Sequence, residues 1–197
     1  DAATFSDGVF NTRHRVPLAQ AFRTKDGKGS FNVVANHFKS KGCSEVDEAN
    51  KDQRDGQSCW NASRTEAARA LDAWVTSQPT SEFAQGTILL GDFNSYAKED
   101  PIQALQDAGW LDAFKLAKVE RPYSYNYRSY SGRLDHALIS SSLQNYLRSA
   151  VEWHINADES EAFDYQIDKR QKEWYSADPY RSSDHDPLLL VLDFSDK

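Results

Sequence analysis

The longest uninterrupted apolar run in the chain, Leu188-Leu189-Leu190-Val191-Leu192, is five residues long. That length makes a strand and falls far short of the roughly 18 residues that a membrane-spanning helix needs. The apolar content must therefore be divided among many short elements, each buried against another. The material suffices: 39% of the 197 residues are hydrophobic, with 10 Phe, 9 Tyr and 5 Trp. Disordered, collagen-like, coiled-coil and low-complexity classes are excluded on that composition. The length suits one domain and is short for two.

Read in order, the short segments alternate between strand and helix patterns. Val16 to Arg23 reads as a strand, Asp26-Gly27-Lys28-Gly29 as a hairpin turn, and Phe31 to Phe38 as a buried returning strand. Ser63-Arg64-Thr65-Glu66 matches a capping box ahead of a helix whose apolar face is Ala67, Ala70/Leu71 and Trp74/Val75. Thr87 to Leu90 is a short strand ending at Gly91-Asp92-Phe93-Asn94. Asp100 can cap a second helix with Pro101 at its first position, and Leu111 to Lys118 suggests a third. Tyr123 to Tyr130 alternates like a half-exposed strand, Ser131-Gly132 turns the chain, and Arg133 to Ile139 continues as a strand. Val151 to Ile155 and Pro187 to Phe194 are the last strands, with a polar loop from Asn156 to Asp184 between them. No repeat or linker divides the chain, so the expected class is a layered α/β (α+β) architecture.

Cys43 and Cys59 flank a polar, acidic segment with nothing to pack a core. Two thiols closing one solvent loop are best explained by a disulfide formed in an oxidising compartment, secreted, extracellular or periplasmic. In the chain-entropy model a loop of that size is worth about 3 kcal/mol. The alternative is a pair of free cytosolic thiols. No CxxC pair supports zinc. The loop's carboxylates suit Ca²⁺ by charge, although a solvated acidic loop is the commoner case. The sequence has no Met, which marks a processed chain or a piece of something longer. Asp1-Ala2-Ala3-Thr4 has neither the basic nor the apolar region of a targeting segment.

The chain carries 30 acidic and 23 basic residues, a net charge of -7. Blanket neutralisation of phosphates requires a basic surface, so nucleic acid would have to be handled locally or with cations. The polar residues at strand ends are more telling. His37 follows Val33-Val34-Ala35, Asp92 and Asn94 follow Ile88-Leu89-Leu90, Asp135 lies within Leu134 to Ile139, and Asp184 and His185 precede the last strand. Side chains at strand ends converge on one crevice in a layered sheet. Carboxylates with an amide suit Mg²⁺ or Mn²⁺, and an Asp–His pair suits proton transfer. Each item alone also fits an ordinary turn or cap. His14, His136 and His154 read as structural.

Taken together, VANHFKSKG (34–42), GDFNSY (91–96), GRLDHALIS (132–140) and SDHDP (183–187) resemble the endonuclease/exonuclease/phosphatase superfamily, the DNase I-like fold. The branch of large bacterial extracellular nucleases is the most similar. Its marks here are the cysteine-flanked acidic loop, Cys59-Trp60-Asn61, Glu99-Asp100-Pro101-Ile102 and Trp153-His154-Ile155-Asn156-Ala157-Asp158-Glu159. The resemblance runs from Val16 to Leu192.

It implies part of a four-layer sandwich of two mixed β-sheets flanked by helices, and hydrolysis of a phosphodiester by in-line attack of water. His37 would contact the scissile phosphate. Asp92 would activate or orient the water, or hold a metal, and Asn94 would bond the phosphate. Asp135 would orient His185, the second catalytic histidine. Asp92, Asn94 and Asp184 would hold a divalent cation, Mg²⁺ or Mn²⁺, with Ca²⁺ a further candidate. Lys39, Arg128 and Arg133 would contact the nucleic acid substrate, with Arg13, Arg15 and Lys41 as further basic candidates. No membrane partner is implied.

Only the C-terminal half of the family pattern is present over residues 1–197. The first-strand Asn and the principal metal-binding Glu are absent. The expected partner is therefore the N-terminal half of the same domain, as a second chain or a missing segment, and the inner strand faces would be uncovered without it. Two other readings stay open. One is another phosphoesterase of this fold, a phosphomonoesterase or a sphingomyelinase-like enzyme. The other is an inactive secreted interaction module.

Overall fold

The computed structural model describes residues 1–80, 83–166, 168 and 171–195. Its centre is a mixed sheet, six-stranded among the described residues, made of β1 (Ala2–Thr4), β2 (Leu18–Arg23), β3 (Ser30–His37), β4 (Thr87–Asp92), β5 (Leu111–Asp112) and β8 (Asp135–Ile139), in the order β1-β2-β3-β4-β8-β5. Only β3 and β4 run parallel, and the other pairs are antiparallel. Parallel neighbours need a crossover. Here it carries the cysteine loop and α1 (Asn61–Thr76), which packs on one face of the sheet beside α2 (Asp100–Asp107). The opposite face receives α3 (Ala113–Leu116) and an antiparallel ribbon of β9 (Leu147–Glu152) and β10 (Leu188–Leu192). A hairpin of β6 (Tyr125–Tyr127) and β7 (Tyr130–Gly132) stands apart from the sheet.

Alternation sorts the strands between two cores. Val34, Leu89 and Leu138 face α1 and α2, where they meet Ala67, Ala68, Leu71, Ile102 and Leu105. Ile88, Ala137 and Ile139 face the other way, toward Phe114, Leu143 and the inward residues Leu188, Leu190 and Leu192 of the ribbon. That second cover is incomplete. Phe22 is 43% exposed, and on the outer side of the ribbon Leu189 and Val191 are 48% and 53% exposed.

Several local expectations are corrected. The capping box is not used: α1 begins at Asn61, after Trp60 in a left-handed conformation. The Ser63 hydroxyl is taken by His14, and Asn50 Oδ1 accepts the Ser63 N–H from across the cysteine loop (3.0 Å). In the second helix Asp100 is the first helical residue and Glu99 holds the cap position. The proposed third helix is split, because Asp112 ends β5 and then caps α3 by accepting from Phe114 and Lys115. The tyrosine hairpin turns at Arg128-Ser129, both at positive φ, rather than at Ser131-Gly132. β8 starts at Asp135 and β9 at Leu147. Cys43 and Cys59 are disulfide-bonded.

Candidate active site

The site is assembled by sheet register. On the β3–β4 ladder His37 lies opposite Asp92, and on the β4–β8 ladder Asp92 lies opposite Asp135. Three chemically active side chains therefore stand in one row across three adjacent strands. Gly91 makes the close approach possible: its φ is +130°, and a Cβ there would fall 2.2 Å from the Asn36 carbonyl oxygen.

His185 completes the row from outside the sheet. Its Nδ1–H donates to Asp135 Oδ2 at 2.6 Å, and the Tyr125 ring lies 4.6 Å from the imidazole. Ser124 donates its hydroxyl to the same Asp135 oxygen (2.7 Å) and accepts the Asp135 N–H (3.1 Å). Asp92 Oδ1 accepts the Asn94 N–H at 2.7 Å, and Oδ2 accepts Asn94 Nδ2 at 2.9 Å with His37 Nε2 3.6 Å away. Asn94 also donates to the Phe38 carbonyl (3.0 Å), so the amide is fixed by its NH₂ and its oxygen is left for other duties.

The electrostatics divide the row. Burial first, then the neighbouring Asp135, with Asp184 beyond, pushes Asp92 up to about 6. Burial opposes charge on His185, but the Asp135 hydrogen bond and the charges of Asp135, Asp92 and Asp184 overcome it and raise it to about 9. His185 is therefore an imidazolium at neutral pH. His37 is held below its ordinary value by burial, then by Arg15 and His185, and is neutral there. Ligand atoms of Asp92, Asp135 and His185 lie within 4.8 Å of one another, and with His185 protonated the two carboxylates are the part of this group that could hold a metal ion. The carboxylates of Asp92 and Asp135, with the charge of Asp184 nearby, outnumber the one imidazolium, and the excess negative charge fits an oxygen-preferring divalent cation.

His37, Asp92, Asn94, Asp135, Asp184 and His185 thus fall in one neighbourhood. Lys39 points its Nζ to within 5.2 Å of the Trp60 ring centre, and Arg128 is exposed at the hairpin turn. Arg133 is a correction. It is buried, pairs with Asp112 and lies over the Phe114 ring, so it holds β5 and α3 and offers nothing to a substrate. Lys41 is likewise committed, donating to Glu99 at 2.6 Å.

Two supporting residues went unnoticed in the sequence. One is Ser124, whose contacts are given above. The other is Arg64, fully buried, which donates to the carbonyls of Gln57, Lys39 and Cys59 and to Ser95 Oγ. It ties the cysteine loop to the turn that follows β4. Both act on backbone far away in sequence, and no local pattern announces that.

The sequence profile of the Endonuclease/Exonuclease/phosphatase family matches residues 2–185. No curated protein sequence matches the chain. Among solved structures the fold is similar to a 3'-5' exonuclease from Neisseria meningitidis, with TM-score 0.58 and 17% identity over 98% of this chain and 71% of that one. It is also similar to a mannosyl-6-phosphatase from Bacteroides thetaiotaomicron (TM-score 0.55, 19% identity, 90% of this chain and 57% of that one). The human Nocturnin catalytic domain is a third (TM-score 0.51, 19% identity, 81% of this chain and 54% of that one). The chain thus spans little more than half the length of the last two. At these identities the likeness concerns the fold. The profile, running through three of the motifs and into the fourth, carries the assignment: the chain belongs to the endonuclease/exonuclease/phosphatase family.

Proposed function

We propose that this chain is the C-terminal half of a secreted, metal-dependent phosphodiesterase that cleaves nucleic acid. The observation that carries the reading is the row His37–Asp92–Asp135 with His185 hydrogen-bonded to Asp135. It puts a carboxylate of raised pKa beside an imidazolium, the pairing that acid–base chemistry at neutral pH requires. Asp92 orients the attacking water and takes up its proton. His37 binds a phosphoryl oxygen, while the Asn94 amide, its NH₂ committed to Asp92 and Phe38, offers its oxygen to a cation. The His185 imidazolium, fixed by Asp135, stabilises charge that develops as the ester bond to the leaving oxygen breaks. A divalent cation held by Asp92, Asn94 and Asp184 would neutralise negative charge on the phosphate.

The disulfide between Cys43 and Cys59 is compatible with an extracellular or periplasmic location. No helix among the described residues is long and apolar enough to cross a membrane. The exposed face around Phe22, together with the outer side of the ribbon, is where we place the rest of the domain. The test is plasmid cleavage by the purified material, with its native and denatured masses measured alongside. Cleavage lost in EDTA and in both Asp92→Ala and His185→Ala supports the reading. Full activity in either variant overturns it.

A phosphomonoesterase is the second reading, favoured by the fold shared with the mannosyl-6-phosphatase. The exposed Tyr127 and Tyr130, with the Arg128 guanidinium 5.2 Å from the Tyr127 ring centre, favour bases and phosphates over a small sugar phosphate or a lipid. Sugar phosphates and lipid head-group esters assayed beside plasmid DNA separate these readings.

A further inference from the structure

The WHINADE segment, 153–159, has no part in the chemistry proposed above, yet its polar atoms are heavily engaged. Asn156 is 2% exposed. Its Oδ1 accepts the Ser182 N–H (3.1 Å) and its Nδ2 donates to the His185 carbonyl (2.7 Å). One amide thus grips both ends of the turn Ser182–His185, with Asp184 between them. The backbone of Asn156 is held in return. Its N–H and that of Ala157 both donate to Asp186 Oδ1 (2.9 Å each), and its carbonyl accepts from Arg181 Nη1 (3.0 Å).

Asp186 is 3% exposed and completes the grip from the other side of His185. Its Oδ2 accepts from His154 Nδ1 (2.7 Å), and the His154 ring stacks on Tyr123 at 4.0 Å. The Asp186 N–H donates to the Ser124 carbonyl (2.8 Å), and it is Ser124 whose hydroxyl reaches Asp135. The peptide unit that joins His185 to Asp186 is therefore pinned at both ends, its C=O by Asn156 and its N–H by Ser124. A flexible turn would let the imidazole swing away, and a misplacement of about 1 Å in such a site costs on the order of a hundredfold in rate.

We propose that Asn156 is a positioning residue for His185, with Asp186 and His154 as its buttress, and that the three hold the Ser182–His185 turn so that the imidazole meets Asp135. Asn156 acts through His185 and touches no substrate. The effect on rate rests on the function proposed above, but the effect on placement does not.

The experiment uses ¹⁵N-labelled protein as purified. The His185 and His154 Nδ1–H protons, each bonded to a carboxylate, should give two downfield, slowly exchanging NMR signals. His185→Gln assigns one and His154→Phe the other. Asn156→Asp keeps the acceptor for Ser182 but sets an oxygen against the His185 carbonyl. It should erase or broaden the His185 signal while the thermal midpoint stays within a few degrees. In an active assembly kcat should fall at least tenfold, with KM within about twofold. His154→Phe keeps the stacking on Tyr123 and should speed exchange at His185 severalfold. An unchanged His185 signal in Asn156→Asp overturns the proposal whether or not the protein hydrolyses anything. So does the absence of that signal in the parent protein. If Asn156→Asp does not fold, unchanged exchange at His185 in His154→Phe overturns it. Absence of hydrolysis by the parent protein counts against the proposed function and leaves the NMR outcome decisive.

Discussion

The two faces of the central sheet are built from the same strands and reach very different degrees of closure. On the helix side Val34, Leu89 and Leu138 are completely buried beneath α1 and α2. On the other side Val33, Leu90 and Phe31 are only partly covered by α3 and the ribbon, and Phe22 lies open. The row His37, Asp92 and Asp135 belongs to the open side, the parity of Val33, Leu90 and Ala137. One face supplies stability, and the other keeps chemistry accessible beside an unfinished core.

The sharpest way to test this division is at the row itself. Asp92→Ala and His185→Ala should each lower phosphodiester hydrolysis by roughly a thousandfold, with no loss of unfolding free energy at neutral pH in Asp92→Ala, whose carboxylate is held above its ordinary value by burial. Rates on plasmid DNA and urea unfolding curves give the two numbers. A large loss of stability would mean that the row also holds the fold together.

The second contrast is between two leucines. Leu89→Ala should cost about 3 kcal/mol, as large-to-small changes in closed cores do. Leu190→Ala, in the half-covered core, should cost about 1 kcal/mol because less contact is lost. Equal losses by urea unfolding would show that the second face is as well packed as the first.

The third contrast is in pH. Burial leads the causes that lower both His14 and His136 to about 4, and both lie on the helix side against Phe38 and Phe93. Neutral when folded, they contribute stability that is present above the ordinary histidine value and lost as pH falls from about 6.5 toward 4. Each proton taken up only on unfolding adds a slope of about 1.4 kcal/mol per pH unit. The open face behaves in the opposite sense. Asp92 is raised to about 6 and His185 to about 9, so the folded state holds more protons than the unfolded one. Stability from His185 is full below about 6.5 and lost as pH rises through about 9, and the Asp92 contribution declines from about 4 to 6. Urea midpoints across pH 4–9 should rise on the acid side for the His14→Gln and His136→Gln pair relative to parent, and flatten on the alkaline side for His185→Gln.

The smallest expected effect separates two arginines. Arg128→Ala should weaken nucleic acid binding severalfold and reduce its salt slope by about one, leaving the melting temperature unchanged. Arg133→Ala, which strands Asp112 in the core, should do the reverse. Binding titrations at two salt concentrations check both.

The sequence made the row readable because each of its members follows or opens a short apolar strand, and such ends are where strand termini meet. His37, Asp92 and His185 each fit an ordinary turn or cap when taken alone, and the ordered set of motifs along the chain is what makes them stand out. Arg133 misled because charge alone says nothing of burial, and its partner Asp112 lies 21 positions away. Ser124, Arg64 and Asn156 were passed over for the opposite reason: they act on backbone groups that only the folded chain brings near. The capping box failed because the helix begins earlier, at Asn61, the Ser63 hydroxyl is taken by His14, and the Ser63 N–H goes to the distant Asn50 amide oxygen in place of Glu66.

The alignment of His37 with Asp92 and of Asp92 with Asp135 has an evolutionary consequence. Side chains on a strand alternate, so a slip of one position on either ladder would send a member of the row to the helix side. Insertions within β3, β4 or β8 are then nearly all-or-none in their effect, whereas loops between them are free to lengthen. Lineages that share this ancestry should vary in spacing between the motifs and stay rigid within them.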